Sequence, residues 1–303
     1  MIITTKIKAK IYLSFQQFLL YLLKSLRKKR SIHYTIERDL DNFANTSDKF
    51  NEIDDIAIII TTFEKRFFEY TIPLISSIRS ELNTPIFVMI NGNFNKTKSN
   101  FRLQKFINEL GKFTDIYPTA FSKFHGCSEL WNTGIVNADS NYFLILNDDI
   151  HVYPKNLKAI FPSIRQLLSQ NGLMTINRSF SHFGLSQNCI EEVGFFDEHF
   201  LGVGEEDRDY FYRYESKYRS KPYNLSTDAF YNFGDESRDD SVKKIADGKY
   251  SYFNTTIQQE FYLGDPESNI QGRYDFPVKR IKTFVDPRPL WKFRKLNYEK
   301  LSE

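Results

Sequence analysis

The stretch Tyr142 to Pro154, YFLILNDDIHVYP, runs through five apolar or aromatic residues, breaks at Asn147-Asp148-Asp149 and turns apolar again at Ile150. Adjacent carboxylates repel each other, so a strand-like run that ends on two of them needs a reason. Hard divalent cations take oxygen ligands, and carboxylates at a strand end supply them. Mg2+ or Mn2+ held there binds a diphosphate and stabilises charge on it as it leaves. The plainer reading is a turn, since Asn and Asp are favoured in turns. A second acidic cluster bears on the choice. LGVGEEDRDYF places Glu205, Glu206, Asp207 and Asp209 after two glycines, at an expected helix start. Acids there stabilise a helix N-terminus through the macrodipole. A carboxylate near a bound metal and phosphate also serves as a general base for an acceptor hydroxyl. One cluster at a strand end and one at a loop–helix junction suit metal-assisted group transfer.

Other chemistries lack their residues. There is no G-x-x-x-x-G-K-[ST]. GVGEED does not follow the first strand of a βαβ unit, so it is no dinucleotide fingerprint. No G-x-S-x-G or H-E-x-x-H occurs. His125, His151, His182 and His199 are scattered, and each alone reads as structural or exposed. Cys127 and Cys189 sit in no metal-ligand spacing, and two cysteines in a chain of 303 residues point to a reducing, cytoplasmic compartment. The net charge of +3 gives no bulk attraction to nucleic acid.

The elements that must position the acids alternate. IAIIITTF (56–63) reads as a fully buried strand, followed by a helical stretch over 64–80 with Pro73 as a kink or break. PIFVMI (85–90) is a second strand, ended by Asn91-Gly92-Asn93, and 97–112 is helical. A weaker strand near 114–117, a helix over 128–138 and the strand NYFLIL (141–146) follow. Strand and helix alternating without hairpin turns predict an α/β fold with a mostly parallel sheet and crossover helices. Ligands bind such sheets beyond the carboxyl ends of the strands. Three strands end on polar residues there: Thr61-Thr62, Asn91-Gly92 and Asn147-Asp148-Asp149. The second half is less regular, with a helix over 155–170 around Pro162, a strand over 172–176, and a glycine-bounded loop leading into a helix within 191–218.

Residues 6–30 read as an amphipathic helix, with Ile7, Ile11, Phe15, Phe18, Leu19, Leu22 and Leu26 at helical spacing and KSLRKKR closing the segment. That pattern suits a membrane interface with anionic lipid; packing on the protein itself or on a second subunit is the alternative. The apolar run of about 13 residues is short of the roughly 20 that span a bilayer. It lacks a small-residue cleavage site, so no secretory signal is expected. The expected division is 1–52 as basic helix and linker, 53–240 as catalytic domain, and 241–303 as an extension packing on that domain or toward acceptor and membrane.

IAIIITTFEKR, then SELWNTGIVNADSNYFLILNDDI, then VGFFDEHFLGVGEEDRDYFYR, resemble the successive motifs of GT-A glycosyltransferases of family 2. The last also resembles the carboxyl-terminal motif of galactosyl- and N-acetylgalactosaminyltransferases. The resemblance covers roughly residues 54–237, in order. It implies a GT-A fold, Rossmann-like, and an inverting transfer from a nucleotide-sugar, usually a UDP-sugar, to an acceptor hydroxyl. By that resemblance Thr61, Thr62, Phe63 and Glu64 hold the nucleotide, and Asn91 stands where the family commonly has an Asp near the base. Asn132 and Gly134 match an R-N-x-G element, with Trp131 in place of its arginine. Asn147-Asp148-Asp149 matches the D-x-D metal motif, with Asp149 the direct ligand of Mn2+ or Mg2+ and Asp148 the ribose or sugar contact. Glu206-Asp207 matches the E-D pair, with Asp207 the base. Glu205 and Arg208 would shape the acceptor site. A later histidine often completes the metal site; here FYNFGDES offers Tyr231 or Asn232 instead.

The leading expectation is a peripheral membrane enzyme at the inner face of the cytoplasmic membrane, extending a lipid-linked bacterial surface glycan. Metal-dependent nucleotidyl or phosphoryl transfer, and a non-catalytic glycan-binding scaffold of the same fold, are the alternatives.

Overall fold

The computed structural model describes residues 55–92, 94, 97–232, 250, 253–257, 292 and 294–298. The helix expected over 6–30 and the linker after it lie outside the described residues.

Strand β1 (Ile56–Phe63) is the sheet's spine. Its residues from Ile56 to Thr62 are all buried, the continuous pattern of a strand covered on both faces. It pairs in parallel with β2 (Ile86–Asn91) on one side and β4 (Tyr142–Asn147) on the other. β3 (Ile116–Ala120) adds in parallel to β2. On the far side β7 (Ser179–Ser186) runs antiparallel to both β4 and β6 (Leu173–Ile176), and β8 (Tyr223–Leu225) pairs in parallel with β6. The order is β3-β2-β1-β4-β7-β6-β8. The three polar strand ends therefore lie side by side: Thr61 is opposite Asn147, and Phe63 is opposite Asn91.

Alternate residues of β1 feed different layers. Ile58 and Ile60 pack with α1 (Ile72–Arg79), α2 (Thr97–Leu110) and α4 (Pro154–Asn171). Ala57 and Ile59 face α3 (Cys127–Ala138), α5 (Gln187–Val193) and α6 (Glu206–Tyr218). This is a helix–sheet–helix sandwich around a mostly parallel sheet. Helix α3 comes very close to β1 at Gly134, where a Cβ would lie 2.5 Å from Ile59 Cγ2.

Several expectations change. The stretch after β1 is no single kinked helix. A 3-10 turn (Glu64–Arg66) and a π turn (Phe67–Thr71) precede α1. Pro73 lies in the first turn of α1, where its missing N–H breaks no helical bond. The loose entry turns Arg66 inward and buries it. The strand near 114–117 sits at Ile116–Ala120 instead. Strand β7 was not expected. It follows a two-residue turn at Asn177 and Arg178, both at positive φ, the geometry that suits a tight hairpin. A small antiparallel pair of β5 (Ile150–Val152) and β9 (Phe230–Asn232) brings Asn232 opposite Ile150, next to the acid pair.

Candidate active site

The acids at the end of β4 already have a cation. Arg66 Nη1 lies 3.2 Å from Asp148 Oδ1, and Nη2 lies 2.8 Å from Asp149 Oδ2. The guanidinium also stands over the rings of Phe63, 5.3 Å from the centroid, and Tyr70, at 4.7 Å. Arg66 was in the quoted motif but was not singled out. The usable signal was a basic residue just past the polar end of a buried strand.

Asp148 is 2 % exposed and turned inward. Thr62 Oγ1 donates to its Oδ2 at 2.8 Å, and Thr62 in turn shares a 2.6 Å bond with Thr71. The Asp148 amide donates to Thr61 O, and Thr61 Oγ1 donates to Asn147 Oδ1 at 3.1 Å. Burial pushes the Asp148 carboxyl up to about 7, against the pull of Arg66, Thr62 and the Phe63 amide, and Asp149 pushes the same way. Burial also works against the charge on Arg66, but the two carboxylates outweigh it and the guanidinium is held above its ordinary value.

Asp149 Oδ1 and His182 Nε2 are both buried without a hydrogen-bond partner among the described residues. His182 sits on β7 opposite Leu146, and its Nδ1 lies 3.1 Å from Ser181 Oγ. Burial lowers the imidazole to about 4, and Asp149 raises it less than burial lowers it, so the ring is neutral. Asn232 Nδ2 donates to the same Ser181 hydroxyl at 2.9 Å. Reading the histidines one at a time missed His182, because only strand β7 brings it beside the acids.

Two asparagines act as backbone clamps. Asn91 Nδ2 donates to His125 O at 2.8 Å and its Oδ1 accepts the His125 amide at 3.0 Å. Asn132 Nδ2 donates to Phe196 O and Glu198 Oε1, while its Oδ1 accepts the Phe196 amide. Both bind chain segments that frame the site. Glu64 receives Arg102 Nη2 on its carbonyl at 3.1 Å. Trp131, where the motif has an arginine, is a core residue packed edge-on against Phe183 and Phe196.

At the start of α6 the acids diverge. Asp209 is fully buried and tied to Arg213 Nε at 2.8 Å, a structural pair. Glu206 is buried, and desolvation together with Asp207 raises its carboxyl well above the ordinary range. Asp207 is only half-buried. Glu205 stands at the N-cap at φ 70 and meets Arg208 Nη1 at 3.1 Å. The preceding loop is held from the C-terminal part of the chain. Asn254 Oδ1 accepts the Leu201 amide, and its Nδ2 donates to Leu201 O and Gly204 O, each at 2.8 Å. Tyr298 Oη accepts the Gly202 amide at 3.1 Å. Arg294 pairs with Glu129 at 3.1 Å and also with Glu198. None of these three stood out in sequence, since no local pattern marks them.

Both acidic clusters act electrostatically on the start of α3. The Cys127 amide donates to Gly202 O at 2.8 Å. Its thiol is pushed well up, by burial first and then by the charges of Glu206, Asp207 and Asp148.

A divalent ion held by Asp149, Asn147 and Asn232 does not fit this arrangement as it stands. Arg66 takes one oxygen of each acid, and Thr61 donates to the Asn147 oxygen. Among the described residues no group of three His, Cys, Asp or Glu is placed to hold a metal.

No family model and no curated protein matches the chain. Solved structures do resemble it. S. aureus TarS aligns at 13% identity with a TM-score of 0.44, over 58% of this chain and 36% of that one. Mannosyltransferase PcManGT from Pyrobaculum calidifontis, in complex with GDP-Man and Mn2+, aligns at 10% identity and a TM-score of 0.44, over 58% of this chain and 55% of that one. HddC from Yersinia pseudotuberculosis aligns at 10% identity and a TM-score of 0.42, over 59% of this chain and 93% of that one. The aligned region thus spans less than two thirds of the TarS and PcManGT chains. At these identities and scores the likenesses bear on neither the activity nor the ligands of this chain.

Proposed function

We propose that this chain is an inverting glycosyltransferase that moves a sugar from a nucleotide-sugar, a UDP-sugar in the first instance, to a hydroxyl of a glycan acceptor. The observation that carries the reading is that the start of α3 faces both acidic clusters: the Cys127 amide is bonded to Gly202 in the loop before α6, and the Cys127 thiol feels the charges of Glu206, Asp207 and Asp148. A donor at the carboxyl ends of β1, β2 and β4 would have its diphosphate beside Thr61, Thr62 and the Asn147–Asp149 turn. Its anomeric carbon would face Asp207. The acceptor oxygen attacks that carbon from the face opposite the diphosphate. The bond from carbon to phosphate oxygen breaks, Asp207 takes the hydroxyl proton, and the nucleoside diphosphate leaves with the bonding pair. Glu206 beside it is buried, and burial and the charge of Asp207 both raise its carboxyl.

The bacterial surface glycan, the lipid-linked acceptor and attachment at the inner membrane face belong to the same reading. They rest on the basic, amphipathic pattern of residues 6–30. Among the described residues no helix is long and apolar enough to cross a membrane. Mn2+ or Mg2+ is left out of the reaction scheme, because the acids already carry Arg66.

The test is a panel of UDP-, GDP- and CMP-sugars offered with glycan acceptors, with product read by mass spectrometry and donor binding by calorimetry. Asp207→Asn is expected to lower turnover by about a hundredfold or more while donor binding stays within about twofold. If no nucleotide binds, the transferase reading is wrong.

A further inference from the structure

We propose that Arg66 is the resident cation of the donor site, and that its guanidinium, with no divalent metal, meets the diphosphate of the nucleotide. This rests on the transferase reading above.

The geometry carries it. The guanidinium is a rigid fork of five N–H donors with a permanent charge. Two arms hold one acid each, at 3.2 Å and 2.8 Å, so the fork stands on the last turn of β4, where a metal would have to sit. The rings of Phe63 and Tyr70 hold its plane, and Arg66 is 8 % exposed. The 3-10 and π turns that deliver it follow directly on β1, the strand that supplies Thr61 and Thr62 to the same site. These turns give a long side chain a fixed, buried route to the strand ends.

A divalent ion would have to displace this group or sit beside it. Asp148 Oδ1 and Asp149 Oδ2 are both taken by the fork. A metal on the remaining oxygen, Asp149 Oδ1, would share one carboxylate with a fixed positive charge. Like charges that close, in a poorly solvated pocket, repel strongly. Asp149 Oδ1 and His182 Nε2 are the two ligand atoms left over there, and among the described residues no third His, Cys, Asp or Glu joins them. Asp148 Oδ2 accepts from Thr62, and the Asn147 oxygen accepts from Thr61. A nucleoside diphosphate instead brings oxygens for the N–H groups of the guanidinium that the two acids leave over. The acid pair then has a different purpose from metal binding: it holds Arg66 in place at the strand end.

The experiment uses the full chain. UDP, GDP and CMP binding is measured by calorimetry in EDTA and again with Mn2+, and Mn2+ binding to the nucleotide-free protein is followed by electron paramagnetic resonance. One nucleotide is expected to bind in EDTA within about threefold of its affinity with Mn2+, and no Mn2+ is expected to be held tightly without nucleotide. Arg66→Lys keeps the charge and loses the fork, and is expected to weaken that nucleotide by about tenfold or more. The EDTA and resonance arms use the unaltered protein, so they stand even if an Arg66 variant folds poorly. Nucleotide binding that disappears in EDTA and returns with Mn2+ would overturn the role of Arg66 and leave the transferase reading intact. So would tight Mn2+ binding that is lost in Asp149→Asn or His182→Ala. No nucleotide binding under either condition removes the transferase reading, and this proposal with it.

Discussion

Arg66 Nη2 lies 2.8 Å from Asp149 Oδ2, and through that contact the turn after the first strand is fastened to the end of the fourth. The same guanidinium reaches Asp148, which is 2 % exposed. A buried ion pair is strongly destabilised when one partner alone is removed, because the other charge stays behind uncompensated. Arg66→Met is therefore expected to cost about 3–5 kcal/mol. Adding Asp148→Asn should return part of that loss. Urea denaturation of the single and double variants measures both, and a single variant as stable as the parent would show that the contact contributes nothing to the fold.

Glu206 sets a dependence on pH. Its carboxyl is raised in the folded protein, by burial and by Asp207, from an ordinary value of about 4.3 in the unfolded chain. Between the two values the folded state keeps a proton that the unfolded state has released. The resulting stability is fully present below the unfolded value and is lost as pH rises through the folded one. Glu206→Gln carries no such proton and loses nothing. Asp148, raised to about 7, acts in the same direction, and His182, lowered to about 4, acts in the opposite one; both are present in both proteins and drop out of the comparison. Melting temperatures from about pH 5 to 9 are expected to shift progressively in favour of the variant. A constant gap would mean that Glu206 titrates normally.

Asn254 holds the loop before α6 by three bonds, one accepted and two donated. Asn254→Ala leaves the buried Leu201 amide without an acceptor, at a cost of about 1–3 kcal/mol. The loop should open more often, so hydrogen exchange at Leu201 to Gly204 should quicken, with β1 and β2 unchanged. Tyr298→Phe removes the bond to the Gly202 amide and should show the same pattern more weakly. Uniform exchange across the chain would point to global destabilisation instead.

Gly134 sits where α3 crosses β1, and an added Cβ would come within 2.5 Å of Ile59 Cγ2. Gly134→Ala trades better helix propensity against overpacking, and overpacking wins, at about 1–3 kcal/mol net destabilisation. Calorimetric unfolding checks this, and Ile59→Val in the same chain should relieve part of it.

Much of the frame was legible in the sequence. The runs 56–60, 86–90 and 142–146 are apolar or aromatic throughout, the pattern of strands buried on both faces, and the helices between them require parallel pairing. From this it followed that Thr61-Thr62, Asn91-Gly92 and Asn147-Asp148-Asp149 end strands of one parallel sheet; that β1 lies between the other two came from the structure. Strand β7 was missed because SFSHFGLS mixes serine, histidine and glycine with its apolar residues and shows no clean alternation, although its pairing with β4 and β6 makes it a strand. What only the tertiary structure decided was the state of the acids. Hydrophobic periodicity is a property of near neighbours along the chain, and it reports which face of an element is covered. An ion pair between Arg66 and Asp149, a histidine on β7 beside that acid, and an asparagine at 254 clamping the loop at 201–204 depend on which distant segments the sheet brings together. The sequence determined that two carboxylates would stand at a strand end; the fold determined that an arginine from the neighbouring strand's exit would be the charge that holds them there.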